Sequence, residues 1–302
     1  MFDVIIIGAG PAGLSAAIYA ARAGLDCMVL ESTMYGGQMT TTPEVENYPC
    51  VKKISGWELS QNMYEQATDL GAVLSFENVE KIENNSAFKT VITADNKYET
   101  KTVIIANGAK RRKLGCDGEE RLSGLGVSYC AFCDGSFFKD KTAVVVGGGN
   151  TALEDALYLS NICSKVYLVH RRNEFRAEKH LVNAVNSKEN IVKLMSYTPV
   201  RIDGESKVES IVLKNLAADN EEVFATDCVF VAIGLSPDNG VFEGVIDLDA
   251  NGYIVAGEDC RTSAEGIFAA GDTRTKTIRQ IVTAASDGAI AASGCSAYIN
   301  SL

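Results

Sequence analysis

Histidine is almost missing from this chain of 302 residues, with His170 and His180 the only two. The single Cys-x-x-Cys, Cys130-Ala131-Phe132-Cys133, has no second copy and no histidine pair with which to complete a tetrahedral zinc site. Positive charge is in deficit as well: 28 Lys and Arg face 39 Asp and Glu, a net charge of −11. That balance argues against nucleic acid or anionic membrane as a main partner. No apolar run approaches the roughly 20 residues needed to span a bilayer. The start, Met1-Phe2-Asp3-Val4, lacks the basic region and cleavage site of a signal peptide. The nine cysteines are odd in number and follow no framework pattern, which suits a reducing cytoplasm. The expectation is a cytoplasmic protein with no nucleic-acid and no membrane partner. Its length leaves room for two domains, each with its own core.

What the sequence does contain is one supersecondary signature, written twice. The apolar strand Val4–Ile7 runs into Gly8-Ala9-Gly10-Pro11-Ala12-Gly13, followed by an alanine-rich helix over 14–22 and a second strand, Cys27–Leu30, ending at Glu31. Strand, glycine turn, helix and a later acid together specify a dinucleotide site, because the glycines let the backbone approach a pyrophosphate at a helix N-terminus. The second copy has the strand Ala143–Val146, the turn Gly147-Gly148-Gly149-Asn150-Thr151-Ala152, a helix over 153–159 and the strand Val166–Val169. Glu31 lies 23 positions after Gly8, and His170 lies 23 positions after Gly147. Where the first copy has an acid, the second has His170-Arg171-Arg172, with Arg176 one turn on. A carboxylate there accepts from ribose hydroxyls and repels a 2′-phosphate, whereas guanidinium groups bind that phosphate. The first site is therefore expected to take FAD or NAD, and the second NADP.

Cys130 and Cys133 precede the second turn, and Asp134 follows directly. Taken alone, the pair fits a redox disulfide, half a metal site or two ordinary buried thiols. Between the two nucleotide units, a polar loop is expected over 36–49, a helix over 56–70 and an antiparallel insertion over 73–105. Strands over 208–213 and 223–232 repeat the antiparallel-then-return pattern, and the segment from Gly266 to Ala292 reads as a last strand and helix. The expected fold class is α/β, with two Rossmann-like dinucleotide-binding domains, one inserted in the other: residues 1–112 with 246–302, and 113–245 between them.

With these motifs in this order the chain resembles the low-molecular-weight thioredoxin reductases over essentially its whole length. The resemblance is carried by Gly8–Gly13, Gly37-Gln38, Glu46-Asn47-Tyr48-Pro49, Cys130–Gly135, Gly147–Ala152, His170-Arg171-Arg172 with Arg176, Gly271-Asp272 and Arg279-Gln280. It implies FAD along the first domain, with Gly8, Gly10, Pro11, Ala12, Gly13, Glu31, Gly37, Gln38, Asn47, Val79, Gly271, Asp272, Arg279, Gln280 and Ile281 around it. NADPH would lie against Gly147, Gly149, Asn150, Thr151, Ala152, His170, Arg171, Arg172, Arg176, Ile233 and Gly234. It implies further that Cys133 faces the flavin, Cys130 attacks the disulfide of thioredoxin or a thioredoxin-like partner, Asp134 acts as acid–base group, and the protein is a homodimer. A relative fed by ferredoxin or reduced flavin is the alternative, and the His-Arg-Arg cluster speaks against it. The sequence departs from the usual pattern at Phe132, where a smaller residue is common, at Cys50, where glycine is common, at Asn107 in place of threonine, and at Asn150-Thr151.

Overall fold

A computed structural model describes residues 1–302 except Pro43, which falls in the expected 36–49 loop, and Ser86 and Ala87, which fall in the expected 73–105 insertion. The chain divides into two compact units, one of Met1–Lys110 with Ser236–Leu302 and one of Arg111–Leu235.

The first unit begins with β1 (Phe2–Ile7), α1 (Pro11–Arg22) and β2 (Cys27–Glu31), continues through α2 (Gly56–Asp69), and then runs through β3 (Val73–Phe76), β4 (Val79–Asn84), β5 (Lys89–Thr93) and β6 (Lys97–Ile105). Pro11 at the first helical position starts α1 earlier than its apolar periodicity suggests, since a proline there gives up only an N–H that had no partner. α2 is capped by Ser55, whose hydroxyl accepts from the Glu58 N–H at 3.1 Å. The strands lie in the order β3-β2-β1-β6-β5-β4. β3 pairs parallel to β2 and extends the Rossmann-type sheet, so only β4, β5 and β6 are the antiparallel part of the expected insertion. Because β1 is apolar on both faces, Val4 and Ile6 enter one core beneath α1 and α2, and Ile5 and Ile7 enter a second core on the opposite face.

The chain leaves this unit through β7 (Ala109–Arg111). The second unit holds β8 (Val127–Ser128), α3 (Ala131–Asp134), β9 (Thr142–Val146), α4 (Asn150–Ser160), β10 (Lys165–His170), α5 (Lys179–Asn186) and β11 (Ile191–Met195). It continues with β12 (Tyr197–Asp203), β13 (Ser210–Asn215), β14 (Asn220–Ala225) and β15 (Cys228–Val231). A parallel sheet of order β11-β10-β9-β15-β8 forms its centre, and β12-β13-β14 form a separate antiparallel sheet. The return strand β16 (Leu235–Pro237) pairs with β7, so the two crossings run side by side.

Back in the first unit, β17 (Ile267–Ala269) joins β6 in parallel, and α6 (Ile281–Ile299) packs on α1 so closely that a Cβ on Gly288 would meet the Ala12 carbonyl at 2.1 Å. The return falls at 235/236, about ten residues before the expected 246. Phe242, Ile246 and Ile254 are the reason, because they are buried in the second core of the first unit. No helix among the described residues is long and apolar enough to cross a membrane.

Candidate active site

In the first unit the turn after β1 admits only glycine at two points. Gly8 sits at φ +102°, where a Cβ would fall 2.5 Å from the Ala106 carbonyl oxygen, and a Cβ on Gly13 would fall 1.8 Å from the Gly8 oxygen. Gly10 caps α1 with no side chain over the first N–H groups. Gly37 approaches so closely that its own Cβ would stand 3.3 Å from the Gly10 Cα, leaving a bare backbone cradle at the helix end. Glu31, at the end of β2, accepts from the Ala9 N–H at 2.8 Å and the Thr33 N–H at 3.0 Å, which fixes its carboxylate beside the same turn.

The other candidates of this unit fall into connected groups. Gln38 donates to the Ala109 carbonyl. Asn47 donates to Gln280 Oε1 at 3.0 Å, which joins the 36–49 loop to the start of α6, where Ile281 is the first helical residue. Arg279 lies over the Tyr253 ring at 4.5 Å, and its buried Nε has no hydrogen-bond partner among the described residues. Asn107 donates to the Asp238 carbonyl and to Asn239 Oδ1, and its own buried Oδ1 is also without a partner among the described residues. Val79 is a core residue of β4. Asp272 sits in the short 3₁₀ turn from Gly271 to Thr273, and Gly271 there takes φ +80°.

Two groups that hold this unit's site together escaped the sequence reading. Buried Asn239 bonds to Asn107, to the Thr273 hydroxyl at 2.8 Å and to the Thr273 carbonyl at 3.2 Å. Asp287, on α6, accepts from the Gly271 N–H at 2.9 Å and is paired with buried Arg274 and Lys276. Neither residue belongs to a short motif. An acid inside an otherwise apolar and small helix, as at Asp287, was the one signal available.

In the second unit all the nucleotide candidates cluster at the C-terminal ends of the parallel strands β9, β10 and β15, where such sheets hold ligands. A Cβ on Gly147 would fall 2.3 Å from the Ala232 oxygen and 2.6 Å from the Ala152 Cβ, which explains the small residue at 152. Gly149 opens α4 with free space above it. Asn150 and Glu178 bond reciprocally at 2.9 Å, and the Arg176 N–H donates to the Gly148 oxygen at 2.7 Å, so the arginine loop is tied to the glycine turn. Arg171, Arg172 and Arg176 are exposed, as is Thr151. Ile233 and Gly234 follow β15 after one residue, Ala232. His170 behaves differently from its arginine neighbours. Its ring is buried beneath Gly148, where a Cβ would meet Nδ1 at 2.2 Å, and burial lowers its pKa. The positive charge of the cluster therefore rests on the three arginines.

Cys130 and Cys133 form a disulfide across α3, with their Cα atoms 5.3 Å apart. The Cys133 and Asp134 N–H groups both donate to the Cys130 carbonyl, at 3.2 and 3.1 Å. Behind them Gly135 allows α3 to seat on α4, since a Cβ there would meet Leu159 Cδ2 at 2.9 Å. Phe132 is 54% exposed, its ring tilted on Tyr158 of α4 at 4.4 Å between centroids. Ser128, which no motif singled out, accepts from the Cys130 N–H at 3.1 Å and donates to Asp134 Oδ2 at 2.6 Å. Among the described residues no group of His, Cys, Asp or Glu could hold a metal ion. The arrangement is a disulfide, a two-electron redox pair, with a carboxylate beside it.

Known proteins share this architecture. A family model of the pyridine nucleotide-disulphide oxidoreductases matches residues 2–288. A thioredoxin reductase of Listeria innocua is 44% identical over 303 residues, covering 100% of this chain and 95% of its own. One from Bacillus subtilis is 44% identical, covering 100% and 96%. The crystal structure of thioredoxin reductase from Streptococcus pyogenes superposes with a TM-score of 0.94 at 43% identity, covering 100% of this chain and 99% of that one. The chain thus belongs to the pyridine nucleotide-disulphide oxidoreductase family and, within it, to the thioredoxin reductases.

Proposed function

We propose that the protein reduces the disulfide of a thioredoxin or thioredoxin-like protein with electrons from NADPH, passed through FAD and the Cys130–Cys133 pair. The observation that carries this reading is the disulfide itself, formed beside a carboxylate and ahead of a glycine turn to which an arginine loop is tied. In this reading the first unit holds FAD and the second holds NADPH. The residues suit both groups. The bare backbone at Gly10 and Gly37 leaves room for a pyrophosphate, and the buried Nε of Arg279 and Oδ1 of Asn107 are a donor and an acceptor with no partner among the described residues. Glu31 keeps lone pairs for ribose hydroxyls, and the exposed Arg171, Arg172 and Arg176 suit a 2′-phosphate.

Bound NADPH and FAD supply the two electrons that open the disulfide. The rest is done by the chain. The Cys130 thiolate attacks one sulfur of the partner's disulfide, and that disulfide's bond breaks as a mixed disulfide forms. Cys133, as thiolate, then attacks Cys130 Sγ, restores the internal disulfide and releases the second partner sulfur. Two protons leave the dithiol and two reach the partner, with Asp134 carrying them at the site of exchange. A cytoplasmic homodimer is part of the same proposal, supported by the family.

Cys133→Ser tests it. NADPH should still bleach the flavin, while NADPH-dependent thioredoxin reduction should fall to background and Cys130 should accumulate as a mixed disulfide. Full activity in this variant would show the relay to be wrong. An anaerobic titration of the wild type with NADPH and with NADH separates it from a ferredoxin- or flavin-fed enzyme, whose flavin would stay oxidised with both.

A further inference from the structure

Ser128 occupies a fixed point. It ends β8, where its backbone is paired in register with Phe230 of β15, so its hydroxyl is placed by the parallel sheet and not by a loop. The side chain is buried. Its oxygen accepts from the Cys130 N–H at 3.1 Å, and its single proton goes to Asp134 Oδ2 at 2.6 Å, the length of a hydroxyl donating to a carboxylate. The Cys130 carbonyl stands at 3.5 Å, long for a second bond. One hydroxyl thus ties the attacking cysteine's backbone to one oxygen of the acid–base group. Oδ1 of Asp134 accepts no hydrogen bond from the described residues.

We propose that Ser128 is the positioning residue of the exchange reaction, holding Asp134 Oδ2 so that Oδ1 is presented to the thiols. The proposal rests on the reading of Asp134 as the acid–base group. A carboxylate on a four-residue helix has two free torsions and would otherwise sample several directions. With Oδ2 held, the proton picked up from a thiol and handed to the departing partner sulfur resides on Oδ1. Ser128 keeps its own proton throughout, and no atom or electron is gained or lost at it.

The test compares Ser128→Ala, Ser128→Thr, Asp134→Asn and the Ser128→Ala/Asp134→Asn double variant as holoenzymes. Flavin reduction by NADPH in a stopped-flow instrument serves as the check on folding and cofactor loading. Acid–base groups contribute on the order of 100- to 10,000-fold. Ser128→Ala should therefore lower kcat for the protein disulfide about tenfold or more, with KM little changed and flavin reduction intact. Its pH–rate profile should move with that of Asp134→Asn, the double variant should be no slower than Asp134→Asn alone, and threonine should restore most of the rate. If Asp134→Asn is impaired while Ser128→Ala keeps kcat within twofold and an unshifted pH profile, Ser128 has no positioning role and Asp134 keeps its own. If Asp134→Asn is itself silent, the acid–base reading fails and the positioning role falls with it. Multiplicative losses in the double variant would also overturn the proposal, since they would show Ser128 acting independently of Asp134.

Discussion

Asp287→Asn is the substitution whose effect the structure specifies most fully. The Asp287 side chain is 4% exposed and that of Arg274 1%. Arg274 Nε and Nη2 grip both oxygens at 2.8 Å, Lys276 Nζ adds a contact at 2.8 Å, and the Gly271 N–H one at 2.9 Å. Burial alone would raise the carboxyl pKa, yet these donors hold it below its ordinary value of 3.8. A depressed pKa means stabilisation that is complete above about pH 4 and is lost as the pH falls through the folded-state value. Two buried cations share this one anion, with exposed Glu258 a further 3.5 Å from Arg274. Neutralising Asp287 strands both cations, at a cost of about 3–5 kcal/mol. For a unit of this size each kcal/mol shifts Tm by about 2–4 °C, so the variant should melt roughly 6–20 °C lower.

The other members of the cluster should matter less than Asp287. Arg274→Met leaves Lys276 to balance Asp287 and should cost less, and Lys276→Met leaves an intact bidentate pair and should cost least. Thermal unfolding at pH 7 and a fixed free FAD concentration, followed by far-UV circular dichroism and flavin release, reads the order, because bound cofactor shifts the apparent midpoint. The Asp287→Asn difference should shrink in titrations below about pH 4. A Tm within 2 °C of wild type for Asp287→Asn, or a greater loss for Lys276→Met, would refute the charge argument.

Three further outcomes are expected. On the proposed assignment, alanine at Arg171 and Arg172 should remove charge-assisted bonds to a 2′-phosphate, about 1.5–3 kcal/mol each, so KM for NADPH should rise tenfold or more while NADH kinetics stay unchanged; equal effects on both nucleotides would contradict the assignment. Cys50 holds φ +71° on an exposed turn, so Cys50→Gly should relieve about 1 kcal/mol and raise Tm, and a fall in Tm would show that no strain is held there. Glu77 accepts from Thr93, Tyr98, Asn96 and Ser75, an arrangement that drives its pKa to about 2. Discounted for its partial exposure, Glu77→Gln should cost ~1–2 kcal/mol at neutral pH. The gap to wild type should close between about pH 4.5 and pH 2 in urea titrations, and a gap independent of pH would count against the carboxylate's role.

Much of this architecture could be read from residues whose pattern is local. Gly8, Gly13 and Gly147 occupy points where backbone meets backbone, and such points must be written as glycine in any sequence. Cys130 and Cys133 were legible as a pair, and Glu31 and the arginines as the ends of matched strands. Residues acting through tertiary contacts were not. Ser128 looks like any serine until β8 pairs with β15, Asn239 gains its partners from segments far along the chain, and Asp287 gains its own from the turn that precedes its helix. His170 is the last residue of β10 and is buried, whereas Arg171, Arg172 and Arg176 lie in the loop beyond the strand and are exposed. The early return at residue 236 left no periodic trace, because the segment that follows packs as irregular backbone with Phe242, Ile246 and Ile254 as anchors.

The cysteines outside the redox pair give the molecule a form of insulation. Burial pushes the Cys27, Cys116 and Cys163 thiols up to about 11 and those of Cys260 and Cys295 to about 12, and raises Cys228 further. A thiol with pKa 11 is ionised in only about one molecule in ten thousand at pH 7, and thiolate is the form that exchanges. Current entering the centre at Cys130 and Cys133 thus meets almost no side circuit within the protein. Cys50, exposed on its strained turn, is the one gap in the sheathing, and it is there that oxidants or stray disulfides would draw charge away from the intended path.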